Sequence, residues 1–482
     1  MEFNSVNFLF FFAAVTTLYY LISQRLRLAF LLIASLTFYG WWQPQYLGIL
    51  LGVSVVTYLI SISLSNTTNN HRQSLLLSVG IGLVLIVLAF FKYSAFIAES
   101  VLNMFNQKMN VDTHRFLDAL LPIGISFYTF QSISYMVDVY RKRSPAVKEA
   151  LPFALYLSFF PQILAGPIER ASRLIPQLTA PAAFNAFNVI SGCKRMIWGY
   201  GCKVLVADNL APLVDRVYGN VFDQNGLTLL IATYLFGFQI YFDFLGYTNI
   251  AIGAAKVLSI DLSQNFRRPY LAHSLRNFWH RWHITLSTWF RDYVYIPLGG
   301  SKKGRLIHLF AIASVFLLSG LWHGAAWSFV LWGAAHGVFY LAEEYSVRKA
   351  FSRWHGASSL RTGIGRVLTF NLVMLLWLFF RAETIVEIGH ILKSLPSAFV
   401  HPGKSFPEAM TAMNITINQL LAGSFLLCTV FILDASKVIE IFINRPLHEK
   451  TRWYELVTWD VLLILLLVLG DIGGRNFVYF RF

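Results

Sequence analysis

Charged residues are scarce in this chain of 482 residues: Asp, Glu, Lys and Arg make up 13% of it, against 56% hydrophobic residues. A soluble domain carries about 25% charged residues, so the polar residues present could not cover a soluble surface. The hydrophobic residues fall in runs of roughly 18 to 22, the length of helix that crosses ~30 Å of hydrocarbon. The runs lack the two-residue alternation of a membrane barrel, so the sequence predicts an all-α polytopic membrane protein.

Cysteine is also scarce. Cys193, Cys202 and Cys428 show neither a disulfide framework nor the spacing of metal ligands, and no acidic residue stands at zinc-ligand spacing from the histidines, so we expect no metal site. Basic residues are missing from the first apolar run, since Glu2 precedes it and Arg25 follows it. A cleavable signal peptide has the opposite order, so we expect the first helix to be retained, with its N-terminus outside.

The net charge of +15 does not indicate nucleic acid as a partner. Lys and Arg lie mostly in short loops between apolar runs, as the positive-inside rule expects of cytoplasmic loops. We therefore expect a lipid bilayer and no nucleic acid around this chain. The loops at residues 25–27, 141–148 and 348–361 are predicted to be cytoplasmic.

The apolar runs predict about 11 membrane-spanning helices together with re-entrant pieces. The runs are residues 8–22, 28–41, a third ending near 65, 75–91, 117–140, 306–322, 328–341, 367–380, 417–433 and 456–469, with 382–395 as an amphipathic helix outside. Prolines between residues 151 and 178, around Ala165-Gly166-Pro167, predict a broken helix buried in protein. No internal repeat is visible, so we expect a single membrane-embedded domain over residues 1–482.

The segment of residues 265–300 is too charged for a lipid-facing helix and too aromatic for an ordinary loop. Ionisable residues at membrane depth are candidates for function. If the segment is helical, one face carries His280, His283, Ser287 and Arg291. This spacing predicts a half-buried helix that lines an internal cavity.

His323 is the second candidate, near the end of an apolar run and between Gly320 and Gly324, which allow close approach of a backbone or substrate. A neutral histidine can take a proton from a thiol or hydroxyl and return it. The alternative for His323 and for His336 is helix packing, and for His283 an interfacial position. Asp243, an acid at membrane depth, is expected to pair with an arginine or to orient a histidine.

These strings together resemble the membrane-bound O-acyltransferase (MBOAT) family, in particular its alginate O-acetyltransferase branch. The likeness is carried by Arg281-Trp282-His283, Ser287-Thr288-Trp289, Arg291-Asp292-Tyr293 and Gly320-Leu321-Trp322-His323-Gly324, with further strings at residues 121–127, 165–167, 241–247, 377–382 and 477–482. It extends over nearly the whole chain.

The resemblance implies the MBOAT fold, with a catalytic core at about residues 117–345. It implies that His323 is catalytic and that His283 is a second site residue. Candidates for the lining of the tunnel are Trp282, Ser287, Arg291, Trp322 and Asp243. No bound cofactor is expected, and the donor substrate is acetyl-CoA or another acetyl thioester. Basic residues such as Arg267, Arg268 and Lys302 could attract its phosphates, and the alternative for them is positive-inside anchoring.

The resemblance also implies a multi-pass enzyme of the bacterial cytoplasmic membrane that acetylates an extracytoplasmic polysaccharide of the alginate type with an SGNH-type partner protein. Peptidoglycan O-acetylation and D-alanyl transfer to teichoic acid are alternatives within the family. A transporter of polymer precursors is the rival from another class, although the inverted halves typical of transporters are not visible. A scaffold without catalytic activity is the third alternative.

Overall fold

The computed structural model describes residues 1–41, 43–105, 107, 121–180, 183–347, 358–400, 402–445, 453–470, 475 and 477–478. Within these ranges the regular structure is helical and no β-strand occurs, so the all-α prediction is confirmed. Backbone contacts divide the chain into two compact units. Unit 1 holds Met1–Met196 and Ile250–Ser263, and unit 2 holds Ile197–Asn249 and Gln264–Phe482. A single functional domain stays a prediction.

Helices follow one another with short connections along the described residues. The α-helices are α1 Val6–Leu21, α2 Gln24–Gly40, α3 Tyr46–Asn66, α4 Asn70–Leu88, α5 Ser94–Met104, α6 Ile125–Tyr140, α7 Ala150–Ser158, α8 Phe160–Ile163, α9 Ala171–Thr179, α10 Ala186–Tyr200, α11 Asp208–Tyr218, α12 Gly226–Val257, α13 Leu275–Trp279, α14 Ile284–Phe290, α15 Arg305–His323, α16 Trp327–Ala342, α17 Ser358–Arg381, α18 Ile385–Ser394, α19 Pro402–Met413, α20 Ile417–Ala435, α21 Val438–Ile443 and α22 Trp453–Leu469. Turns of π-helix occupy Ala89–Tyr93, Gly201–Ala207, Arg291–Tyr295 and Glu343–Val347, and 3₁₀ turns occupy Val221–Asp223, Pro269–Leu271 and Leu395–Phe399.

Among the described residues, six helical stretches are long and apolar enough to cross a membrane: Tyr46–Asn66, Asn70–Met104, Gly226–Val257, Arg305–His323, Ser359–Arg381 and Ile417–Ala435. This set defines a multi-pass membrane protein. Helix α1 is apolar but shorter. The predicted count of about 11 spans and the predicted sidedness of the loops stay predictions. The start of the predicted run 117–140 and most of the loop 348–361 lie outside the described residues.

One long helix is missing from the predicted runs. Helix α12 has 32 residues, and polar residues such as Gln239 and Asp243 interrupt its hydrophobic pattern. In its apolar stretch of 18 residues, 72% of the residues are buried within the protein. A helix enclosed by other helices does not need a continuous apolar surface, so its composition concealed its length.

Unit 1 contains the predicted helix break near Ala165-Gly166-Pro167. Helix α7 ends at Ser158, the four-residue helix α8 follows, and the chain then leaves helical geometry. The backbone N–H of Phe160 donates to the hydroxyl of Ser35, 3.1 Å away. A Cβ atom on Gly166 would clash with the backbone of Gln162. The break is thus buried in protein, which is where irregular backbone is tolerated at membrane depth.

In unit 2, helices α15 and α16 cross closely through two glycines. A Cβ atom on Gly320 would clash with the carbonyl oxygen of Phe329, and one on Gly333 would clash with that of Phe316. Small residues permit such backbone contact between membrane helices. The crossing fixes the end of α15, where His323 lies.

Candidate active site

The segment that carries His283 is not a continuous helix. Helix α13 ends at Trp279 and α14 begins at Ile284, and His283 between them has a left-handed backbone with φ of 42°. The prediction that four residues share one helix face is therefore wrong for His283, because the break turns its side chain to the fully buried interior. The other three of that set, His280, Ser287 and Arg291, line a cavity.

Asn265 holds this break in place. Its carbonyl oxygen accepts the N–H of Ile284 at 2.9 Å, and its side-chain oxygen accepts the hydroxyl of Thr285 at 2.7 Å. The N–H of Arg267 donates to the carbonyl of Arg281 at 2.9 Å. A left-handed residue other than glycine costs about 1–3 kcal/mol and persists only where its surroundings enforce it, often at functional sites. Nothing in the local sequence around Asn265 indicates this role.

The structure brings His283 and His323 together. Their ring centroids are 6.5 Å apart, and the side chains are 0% and 3% exposed. His323 is the last residue of α15, and His283 directly precedes α14. Two helix boundaries thus place two histidines, forty positions apart in sequence, in one buried site; we call them the histidine pair.

Aromatic rings surround the histidine pair. The ring of Phe244 lies 4.7 Å from that of His283, and the ring of Trp322 lies 5.8 Å from it. The ring of His323 lies 5.1 Å from that of Trp332 and 5.4 Å from that of Phe380. Trp322 also contacts His323 at 4.9 Å. The site is therefore shielded from bulk water.

His283 lies outside the six candidate membrane spans. Burial lowers the pKa of its imidazole, so His283 is neutral near pH 7. Within the described part of the chain, neither of its ring nitrogens has a hydrogen-bond partner. A neutral imidazole with a nitrogen available can act as a general base.

The residues predicted to line the tunnel have different surroundings in the structure. Trp322 contacts both histidines. Trp282 is fully buried, and its ring lies 5.0 Å from that of Trp377 and 5.5 Å from that of Phe278. It therefore packs behind the site as part of an aromatic core.

Asp243 is bound in a buried ion pair. Its Oδ1 lies 2.7 Å from Nζ of Lys203, and the same Nζ lies 2.7 Å from Oδ1 of Asp208. Asp243 thus pairs with a lysine, and the prediction of an arginine partner is wrong. The lysine was not expected because the apolar stretch around it gave no sign of a buried cation.

A cavity of about 330 Å³ is lined by Ile284, which follows His283 in the chain, and by other residues of α14 and α15, but by neither histidine of the pair. Four basic side chains line it, those of Arg276, His280, Arg291 and His308. Burial and the charges of Arg276 and Arg291 lower the pKa of His280, so its imidazole is neutral near pH 7 while the two guanidinium groups are charged. Ser319 also lines the cavity and lies one helical turn before His323. The same cavity is thus lined by two arginines and by Ser319, which lies on the face of α15 that carries His323.

Sequence reasoning missed the ring neighbours Phe244, Trp332 and Phe380. Trp332 and His336 lie one turn apart on α16, with ring centroids 4.8 Å apart. His336 is fully buried, and its ring also lies 5.1 Å from that of Trp279. The recurrence of tryptophan and histidine at helical spacing was the available signal. Its contacts favour the packing alternative for His336.

Comparison with known families assigns the class. The model of the membrane-bound O-acyltransferase family matches residues 142–348, a range that contains the histidine pair. Relatives that align over the whole length extend this match. The chain belongs to the MBOAT family and is a membrane O-acyltransferase.

Bacterial acetyltransferases are among the similar proteins. The probable alginate O-acetylase AlgI of Pseudomonas putida is 38% identical, over 100% of this chain and 100% of its own. The protein of the same name from Pseudomonas aeruginosa is 38% identical, over 93% of this chain and 84% of its own. The peptidoglycan O-acetyltransferase of Helicobacter pylori is 32% identical, over 100% of this chain and 97% of its own.

Proposed function

We propose that this enzyme takes an acetyl group from a cytoplasmic thioester, acetyl-CoA or another acetyl thioester, and moves it across the bacterial cytoplasmic membrane. The acetyl group then serves O-acetylation of an extracytoplasmic polysaccharide of the alginate type, together with an SGNH-type partner protein. The observation that carries the proposal is the buried histidine pair, 6.5 Å apart, and a cavity whose lining includes Ile284, next to His283 in the chain, and two arginines. Similarity to alginate O-acetylases over the full length supports the acetyl group and the polymer.

The chemistry assigned to the pair is acyl transfer. The acceptor hydroxyl attacks the thioester carbonyl, a C–O bond forms, and the C–S bond breaks. One imidazole of the pair, assigned to His323, accepts the hydroxyl proton and returns it to the departing thiolate. His323 acting as a transient acyl carrier is the alternative, in which its nitrogen bears the acetyl group between two such steps. In both, the surrounding rings exclude water that would hydrolyse the thioester.

The cavity is assigned to the donor. A nucleotide thioester carries phosphates, and Arg276 and Arg291 provide guanidinium groups suited to bind them. Of the residues suggested by sequence, Arg267, Arg268 and Lys302 are not among those that line this cavity. Arg268 instead forms an ion pair with Glu440 at 3.2 Å.

Transfer by the purified protein tests the proposed function. In liposomes with acetyl-labelled acetyl-CoA, an alginate oligosaccharide and the SGNH-type protein, we expect label to appear in base-labile esters of the sugar. Ester formed only on peptidoglycan fragments would favour the alternative that the Helicobacter pylori relative suggests. No transfer to either acceptor, with the donor left intact, would contradict the proposal.

Replacing Arg291 by Gln tests the donor site. Loss of a charged hydrogen bond to phosphate costs about 1.5–3 kcal/mol, so we expect the KM for acetyl-CoA to rise about tenfold or more, with a smaller change in kcat. The matched control is Arg267→Gln, which removes an exposed arginine that does not line the cavity. Equal KM values for acetyl-CoA in the two variants would contradict the assignment of the donor to this cavity.

A further inference from the structure

The side chains of Phe477 and Val478 are buried in unit 2, where they are 1% and 7% exposed. The N–H of Val478 donates to Oδ2 of Asp243 at 2.6 Å. The other oxygen of that carboxylate lies 2.7 Å from Nζ of Lys203. A buried charge pair that accepts a backbone hydrogen bond is a firm anchor, because each broken contact leaves a charge uncompensated. This anchor holds the backbone of Val478 against α12.

Ring contacts connect the anchor to one catalytic histidine. The ring of Phe477 stacks on that of Tyr247, with centroids 4.5 Å apart and planes at 20°. It also lies 5.5 Å from the ring of Phe244. Phe244 in turn meets His283 edge-on at 4.7 Å. Phe477 thus supports the ring that forms the wall of His283.

A second connection leads toward His323. Arg475 reaches Oδ2 of Asp215 at 3.2 Å, and Arg381 reaches Oδ1 of the same carboxylate at 3.0 Å. Arg381 directly follows Phe380, whose ring is 5.4 Å from that of His323. The carboxylate of Asp215 therefore connects Arg475 to the end of α17, where the ring of Phe380 lies next to His323.

We propose that Arg475, Phe477 and Val478 form a positioning clamp for the histidine pair, in which Phe477 holds Phe244 against His283 and Arg475 holds the Phe380 end of α17 through Asp215. The clamp contributes no catalytic residue, and its role rests on the function proposed above for the pair. Packed interiors transmit displacement, because they contain few voids. A shift of about 1 Å in a catalytic group can cost on the order of 10²-fold in rate.

Phe477→Ala tests the clamp. We expect kcat for acetyl transfer to fall about 10- to 100-fold, while the KM for acetyl-CoA changes less than about twofold, because the donor cavity is untouched. Phe477→Tyr keeps the ring and is expected to recover most of the rate. Phe442→Ala is the control, since it removes the same ring from a buried position in α21 of the same unit; its kcat should stay near that of the wild type.

Three outcomes would overturn the clamp: a wild-type kcat for Phe477→Ala, an equal loss in Phe442→Ala, or no recovery in Phe477→Tyr. If Phe477→Ala does not reach the membrane, Arg475→Gln gives the decision. That change removes the guanidinium that pairs with Asp215 and is expected to lower kcat severalfold at unchanged KM, and an unchanged kcat would contradict the clamp. Failure of the proposed function is distinguishable, because then wild-type protein itself transfers no acetyl group.

Discussion

Replacing His323 by Gln is expected to abolish polymer acetylation while the protein still inserts at near-normal level. Glutamine keeps the size and hydrogen-bonding capacity of histidine, but it does not exchange protons near neutral pH. Loss of a general base typically costs ~10²–10⁴-fold in rate. Single-turnover transfer from labelled acetyl-CoA measures the effect, and His323→Ala should give the same loss.

His336→Gln is the matched control for this change. His336 is as deeply buried as His323 and touches the same ring, that of Trp332. A packing histidine is expected to affect yield or thermal stability by about 1–3 kcal/mol and leave kcat within a few-fold. If His323→Gln acetylates at the wild-type rate, His323 is structural and the mechanism proposed here is wrong.

Replacing His283 by Asn is expected to lower kcat by about 10²-fold or more. Asparagine is among the residues that tolerate a left-handed backbone, so this variant removes the imidazole and keeps the φ of 42° at little cost. His283→Val removes the imidazole and also disfavours that backbone. Comparing the two variants separates the chemical role of the side chain from the shape of the break.

The two variants of His283 are expected to differ in stability but not in the loss of activity. Both variants should lose acetyl transfer, and His283→Val should also lower the temperature of unfolding, because a β-branched residue is strained in this region. If His283→Asn keeps its rate and only His283→Val loses it, the break matters and the imidazole does not.

Much of the fold could be predicted because hydrophobic periodicity is a local property. The helix break at Ala165-Gly166-Pro167 was also predictable, since proline and glycine have local meaning, and the two histidine strings could be selected as candidates because they place ionisable residues among apolar ones. The left-handed conformation of His283 was not visible. It depends on Asn265, eighteen positions earlier in the chain, whose hydrogen bonds to Ile284 and Thr285 exist only once the chain has folded.

Partners of buried charges were equally inaccessible to the sequence. Asp243 was recognised as an acid at membrane depth, but its lysine partner lies forty positions earlier, on the π-helical turn Gly201–Ala207. Contact between them requires the close approach of that turn to α12 at Gly246, where a Cβ atom would meet the backbone of Lys203 at 2.8 Å. Periodicity specifies which face of a helix is polar, and tertiary packing decides which charge it meets.

The aromatic rings around the histidine pair affect how much of an activated acetyl group would be lost to hydrolysis. Every acyl transferase competes with water, because an activated acetyl group that meets a water molecule at the catalytic base is lost as acetate. The rings of Phe244, Trp322, Trp332 and Phe380 pack against the two imidazoles and cover part of their surface. Under the proposed function, such exclusion of water limits consumption of the thioester to turnovers in which an acceptor is present, so acetyl transfer follows the supply of polymer.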